Sequence, residues 1–173
     1  GDKAGIIARY LVEADLLGHT THGLQLCVPY LEQIDEGAMI IRGEPEVLSR
    51  RGGVQAWHGR QLPGVWLTAM AVDAAVAGAR EFGIGAVSIR ESHHIGCLAA
   101  FLQRATDHGL MVLITCSDPA TASVAPFGGL DAVMTPNPMA VGIPTCSDPV
   151  LIDISASITT NGLSGRLRGE GRS

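Results

Sequence analysis

Charge is scarce in this chain, and basic charge scarcer still. Of 173 residues, 12 are Lys or Arg and 17 are Asp or Glu, a formal balance of −5. A polyanion-binding surface needs clustered cations. The only concentration of them, Arg166, Arg168 and Arg172, lies in a Gly-rich stretch at the end, so neither nucleic acid nor an acidic membrane is expected as a partner. Also missing is any apolar run of the roughly eighteen residues that a membrane-crossing helix requires. Gly1-Asp2-Lys3-Ala4-Gly5 lacks the basic-then-apolar order of a signal peptide, and the expectation is a soluble cytoplasmic protein. Cys27, Cys97, Cys116 and Cys146 show no C-x-x-C spacing and lie among apolar residues, the setting of reduced thiols rather than disulfides. The chain opens without Met and closes on a Gly- and Arg-rich run, a pattern expected of a fragment.

Standard nucleotide and hydrolase devices are absent too. There is no G-x-x-x-x-G-K-[ST] and no G-x-S-x-G. Gly83-Ile84-Gly85 begins like a dinucleotide fingerprint, but Ser88 takes its last position and the segment precedes a strand instead of opening a helix, so the mechanical reason for the glycines fails. No H-E-x-x-H is present. His19, His22, His93 and His94 are the imidazoles from which a metal site would be assembled, but His19 and His22 lie on a connector rather than on successive helical turns, and no metal is expected.

What the chain does have is core-forming material: 46% hydrophobic residues, enough for one domain of ordinary size. Ile6, Ile7, Tyr10, Leu11, Ala14 and Leu17 fall at helical spacing, with Asp2 as N-cap and Gly18 as stop. A second helix is predicted from Leu24 to Gly37, with Pro29 kinking it or in its first turn. Short strands follow between Met39 and Trp57, then an Ala-rich helix from Gly64 to Phe82, ended by Gly83. A strand Ala86–Arg90, a helix Cys97–His108 and a strand Leu110–Thr115 predict a βαβ unit. A Pro- and Gly-rich loop from Ser117 to Pro138 precedes a last strand, Val150–Ile154. The fold class is α/β, a mixed sheet with flanking helices.

Three polar groups fall at element ends, where ligands of α/β proteins collect: His19 to His22, Ser92 to His94, and Asp153 with Ser155, Ser157, Thr159 and Thr160. A His at a helix start sits in positive potential that favours neutral imidazole, which suits His94 as a proton acceptor. The alternative is that His94 only caps the helix. Cys116-Ser117-Asp118-Pro119 recurs as Cys146-Ser147-Asp148-Pro149, which reads as ordinary turn chemistry.

Five segments in order carry a resemblance. They are Asp15-Leu16-Leu17-Gly18-His19-Thr20-Thr21-His22-Gly23 with Pro29-Tyr30-Leu31; Ser92-His93-His94-Ile95-Gly96; Ser117-Asp118-Pro119 with Pro126-Phe127-Gly128-Gly129; Asn137-Pro138; and Leu151-Ile152-Asp153-Ile154-Ser155-Ala156-Ser157. Together they resemble the malate/L-lactate dehydrogenase-like family, which includes ureidoglycolate, sulfolactate and diketogulonate oxidoreductases. The resemblance implies a non-Rossmann α/β fold, a homodimer, and hydride transfer between NAD or NADP and a small 2-hydroxy acid or its 2-oxo counterpart. It further implies His94 and His22 as the catalytic pair, Thr21 and Tyr30 at the substrate, and Asp118, Ile152, Asp153 and Ile154 at the cofactor. Residues 1–37 then form a helical substrate-side segment and 38–163 an α/β cofactor-side segment of a domain incomplete at its C-terminus, with 164–173 a flexible tail outside the family pattern. Such a chain is either an active dehydrogenase or a catalytically silent fragment that binds nucleotide weakly or only associates with an intact copy.

Two departures from the family pattern stand out. Leu26 occupies a place where many members have Arg, removing a guanidinium that would grip a carboxylate. Another cation must then bind the carboxylate, or the substrate differs. Thr135-Pro136-Asn137-Pro138 replaces the common Gly-Thr-Asn-Pro.

Overall fold

A computed structural model describes residues 2–118, 121–158 and 161–171, and for Asn161 the backbone alone. Pro119, Thr159, Thr160 and Arg172, named above, lie outside the described residues.

The chain begins with α1 (Lys3–Leu16), started by the Asp2 carboxylate, which accepts the Gly5 N–H at 3.0 Å. Single 3-10 turns at Thr20–His22 and Leu24–Leu26 lead into α2 (Cys27–Asp35). Pro29 falls in the first turn of α2, where its missing N–H costs no helical bond. A hairpin of β1 (Glu46–Arg51) and β2 (Val54–His58) follows, antiparallel, with its register shifted between Val47 and Ser49. Next, α3 (Gly64–Phe82) ends at Gly83, φ +85°, and returns the chain to β3 (Ala86–Arg90), which pairs parallel to β2 with His58 opposite Arg90.

The second half is built around another sheet. A 3-10 turn at Ala99–Phe101 and the four-residue α4 (Gln103–Thr106) lead to β4 (Val112–Thr115), which pairs antiparallel with β5 (Met139–Ile143). The strand β6 (Val150–Ile154) pairs antiparallel with β5, Asp153 opposite Ala140, and α5 (Asn161–Gly169) follows. The architecture is mixed α/β, with two three-stranded sheets in the orders β1-β2-β3 and β4-β5-β6.

Two sequence expectations need correction. The βαβ unit is β2–α3–β3, one element earlier than predicted, because β3 and β4 belong to different sheets. The helix predicted over 97–108 is instead the 3-10 turn plus α4. Its residues Cys97 to Leu102 are buried on every side, Phe101 and Leu102 completely. A segment apolar all round goes into the interior instead of lying across a sheet face. The last helix, α5, takes in the first residues of the stretch expected as a tail from 164. Leu163 and Leu167, one turn apart, give that helix a half-buried side while its other described side chains past Leu163 are exposed.

The core lies between the helices and the second sheet. Tyr10, Leu11 and Ala14 of α1, Val65, Ala69, Val72 and Val76 of α3, the run Cys97–Leu102 and Ala140 of β5 form one buried cluster. The Tyr10 and Phe101 rings pack with centroids 4.4 Å apart. Beside them Arg104 pairs with the Asp73 carboxylate through two nitrogens and donates to the Tyr10 hydroxyl at 3.0 Å. This ties α4 to α3 and α1.

Candidate active site

The end of α1 sets the position of the first connector. Gly18 takes φ +85°, its N–H donates to the Asp15 carbonyl at 3.0 Å, and the His19 N–H donates to the Ala14 carbonyl at 2.8 Å. These bonds close the helix around a left-handed residue and turn the chain into the 3-10 turn that carries Thr21 and His22. The Asp15 carboxylate then accepts the Leu24 N–H at 3.0 Å. Beside Gly23 there is no room, since a Cβ there would lie 2.0 Å from Asp15 Oδ1. The Asp-to-His-Gly spacing is therefore a mechanical clamp on the loop bearing His22.

A second clamp holds the other connector. The His93 N–H donates to the Leu62 carbonyl at 3.2 Å, and the backbone lies against the first turn of α3. A Cβ on Gly64 would come 2.1 Å from the His93 carbonyl oxygen and 2.5 Å from that of His94. Only glycine permits that approach.

Both connectors deliver imidazoles to one place. The rings of His22 and His94 stack with centroids 5.7 Å apart and planes 26° from parallel. Tyr30, buried on α2, brings its hydroxyl 2.7 Å from His94 Nδ1, and the Gly96 N–H donates to the same nitrogen at 3.3 Å. A backbone amide only donates. Nδ1 is thus the acceptor, the phenol donates to it, and the proton of the neutral ring is assigned to Nε2. His22 Nδ1 lies 3.0 Å from Thr21 Oγ1. His93 uses its Nδ1 to accept the His94 N–H at 2.8 Å and so serves the connector itself.

Burial, and then the neighbouring imidazoles of His22 and His93, lower the His94 pKa to about 4, with Asp118 opposing the shift. His22 is lowered for the same kinds of reason, burial first and then His19, with Asp153 opposing. Burial raises the Tyr30 phenol, so it stays a protonated donor. The expectation of a neutral His94 is met through a different cause. No helix starts beside His94, because the helical turn begins only at Ala99, and desolvation and like charge replace the helix dipole as the origin of its low basicity.

Of the residues expected at the cofactor, Asp118 and Asp153 act electrostatically on the imidazole pair. The side chains of Ile152 and Ile154 do not join them. Along β6 successive side chains alternate between faces: Leu151 and Asp153 are half-buried, whereas Ile152 and Ile154 are exposed on the opposite side. Asp153 is anchored where the Ala99 N–H donates to its Oδ2 at 2.9 Å. Leu26 packs against the core cluster.

Two residues that the sequence reading leaves unassigned reach this region. Arg166 of α5 places Nη1 3.4 Å from Thr20 Oγ1, on the turn that carries His22. Cys97 faces Asp153 with Sγ to Oδ2 at 3.9 Å. Neither has a local signal, since Arg166 lies in a Gly-rich run and Cys97 in an apolar one.

Known proteins share this arrangement of elements. The chain is 33% identical over 163 residues to the (2R)-3-sulfolactate dehydrogenase (NADP(+)) of Chromohalobacter salexigens, an alignment covering 92% of this chain and 47% of that protein. It is 30% identical over 162 residues to the malate/(S)-sulfolactate dehydrogenase of Methanothermus fervidus, covering 93% and 47%. The crystal structure of malate dehydrogenase from Entamoeba histolytica superposes with a TM-score of 0.91 at 26% identity, covering 98% of this chain and 47% of that one. The chain spans about half the length of the relatives it matches. Over residues 1–173 it matches the family model described as malate/L-lactate dehydrogenase, and it belongs to that family.

Proposed function

We propose that the intact protein, as a homodimer, catalyses reversible hydride transfer between NAD or NADP and a small 2-hydroxy acid of malate, lactate or ureidoglycolate type. In this reading His94 exchanges the hydroxyl proton and His22 orients the substrate oxygen. The observation that carries it is the convergence of His22 and His94 from two separately clamped connectors, with Tyr30 fixing the tautomer of His94. Oxidising a secondary alcohol removes a proton from oxygen as hydride leaves carbon, and a bound nicotinamide supplies the hydride acceptor. The residues fit the nucleoside end of such a group: the Asp118 and Asp153 carboxylates would hold it as acceptors for its hydroxyl and amide donors. As anions they do not fit its phosphates, which need donors from elsewhere in the protein.

The chemistry of the imidazole follows from its hydrogen bonds. With its proton on Nε2, neutral His94 hydrogen-bonds a substrate carbonyl oxygen, and the proton transferred to that oxygen on reduction comes from the imidazolium, which returns to the neutral ring. For alcohol oxidation the ring takes its other tautomer, giving up the Gly96 N–H bond as Nδ1–H donates to the Tyr30 oxygen, and Nε2 receives the hydroxyl proton to form the imidazolium. At a pKa of about 4 the free site is a poor base at neutral pH. A bound carboxylate substrate places negative charge beside the pair and raises His94 toward neutrality. Proton uptake is in this way coupled to substrate occupancy. In place of the cation lost at Leu26, Arg166 supplies the guanidinium for that carboxylate.

The silent-fragment reading has its own support in a groove of about 780 Å³ lined by Ala71 and Ala75 of α3 and by Val87 and Leu113 of β3 and β4. Those two strands are the edges of their sheets, so this chain presents apolar surface and unpaired backbone together, the condition for association with another chain. Fluorescence titration with NADH and NADPH, followed by a panel of 2-hydroxy acids, separates the readings. Turnover of a His94→Gln variant at the wild-type rate refutes the assignment of His94.

A further inference from the structure

We propose that His19, Cys97 and Asp153 form a binding site for a divalent ion of the zinc type, adjoining the imidazole pair. One ring nitrogen of His19, Sγ of Cys97 and a carboxylate oxygen of Asp153 all lie within 4.8 Å of one another. Tetrahedral zinc holds such atoms at about 2.0–2.3 Å, which spaces neighbouring ligand atoms roughly 3.3–3.7 Å apart. Cys97 Sγ and Asp153 Oδ2 are already 3.9 Å apart, so small side-chain adjustments close the site. A mixed sulfur, nitrogen and oxygen donor set selects zinc over magnesium or calcium. Three protein ligands leave a fourth position for water.

The backbone holds each ligand ready. His19 is fixed by its N–H bond to Ala14, Asp153 by its pairing with Ala140 in β5, and Cys97 by the left-handed turn at Gly96 before the buried run. The Ala99 N–H on Asp153 Oδ2 is the kind of outer bond that orients a ligating carboxylate. On metal binding the Cys97 S–H proton leaves to solvent and the thiolate pair becomes the metal–sulfur bond. This set shares only His19 with the four imidazoles considered from sequence. Because its ligands come from the connector after α1, the turn before α4, and β6, a bound ion staples three segments and stabilises the fold by linkage.

The test uses the chain freed of metal with a chelator and desalted. Expected are one zinc bound per chain, a raised Tm with one equivalent of zinc, and a sulfur-to-cobalt charge-transfer band when cobalt is used instead. Cys97→Ser keeps a hydroxyl facing Asp153 but no thiolate, and His19→Gln changes a half-buried position that the fold tolerates. Each is expected to weaken zinc binding by more than the roughly 10–100-fold that loss of an outer-shell partner costs. Absence of stoichiometric zinc binding to the unmodified chain overturns the proposal. So does equal binding by both variants, which places the ion on other histidines.

Discussion

Tyr30→Phe isolates one hydrogen bond. The ring is 6% exposed, and phenylalanine fills the same space, so packing is retained while the hydroxyl 2.7 Å from His94 Nδ1 is lost. That hydroxyl donates to a lone pair that only the neutral imidazole offers. Its removal penalises the neutral form, so the His94 pKa rises. A net hydrogen bond of roughly 1 kcal/mol, set against about 1.36 kcal/mol per pKa unit, gives a rise of roughly 0.7 unit from about 4. The assay is an NMR titration of the His94 ring carbon-bound protons in both forms. The acid limb of alcohol oxidation, which requires unprotonated His94, is expected to move upward by the same amount. A fall in the pKa would show that the phenol accepts from Nδ1–H in the resting site and that the tautomer is the reverse; no change would remove Tyr30 from the proton chemistry altogether.

Three further expectations follow from the same geometry. The His94 pKa is lowered on folding from 6.5 to about 4, so the unfolded chain binds the extra proton first; stability is full above pH 6.5 and declines as pH falls from there to 4. The loss amounts to roughly 3 kcal/mol for this group, and denaturant melts at stepped pH measure it; a flat profile across that window contradicts the burial of a neutral imidazole. Gly64→Ala is expected to lower stability by about 1–3 kcal/mol and to disturb turnover, because its Cβ meets the His93 and His94 carbonyls. Gly165→Ala is the comparison: nothing lies within 4 Å of its Cβ, so it is expected to be neutral or stabilising by up to about 1 kcal/mol. Arg166→Gln is expected to raise the KM of a carboxylate substrate roughly 10–100-fold, the worth of a charge-assisted bond, while nucleotide affinity is unchanged; an unchanged KM removes Arg166 from substrate recognition.

Local chemistry was legible wherever one residue type settles the matter. Asp2 starts α1 and Gly18 stops it, Gly83 stops α3, and the alternation from Ala86 to Arg90 gives β3, all read from the chain alone. Pairing was less so. Periodicity identifies a strand but not its partner, and nothing within Leu110–Thr115 says that β4 joins β5 rather than β3. An apolar run such as Cys97–Leu102 reads as a helix because hydrophobicity alone does not distinguish an amphipathic surface helix from a segment swallowed by the core. At the site, resemblance named His22, His94 and Tyr30, but the bond from Tyr30 to His94 spans 64 positions and has no local trace. The side-chain split along β6 was readable in principle, since alternation alone puts Ile152 and Ile154 opposite Asp153.

The two clamps explain how this site tolerates its departures. The loops bearing His22 and His94 are held by backbone and glycine contacts, through Asp15 with Gly23 and through Gly64 with the His93–His94 carbonyls, while Thr21 and Tyr30 orient the rings themselves. A change such as Leu26 for Arg leaves both clamps intact, because Leu26 takes part in neither and packs against the core cluster. In the proposed reading charge recognition passes to a different element, Arg166 on α5, which reaches the turn bearing His22, without moving the paired rings. Substitutions at Arg166 are expected to alter which acid binds, whereas substitutions at Gly23 or Gly64 are expected to impair proton exchange for every acid alike.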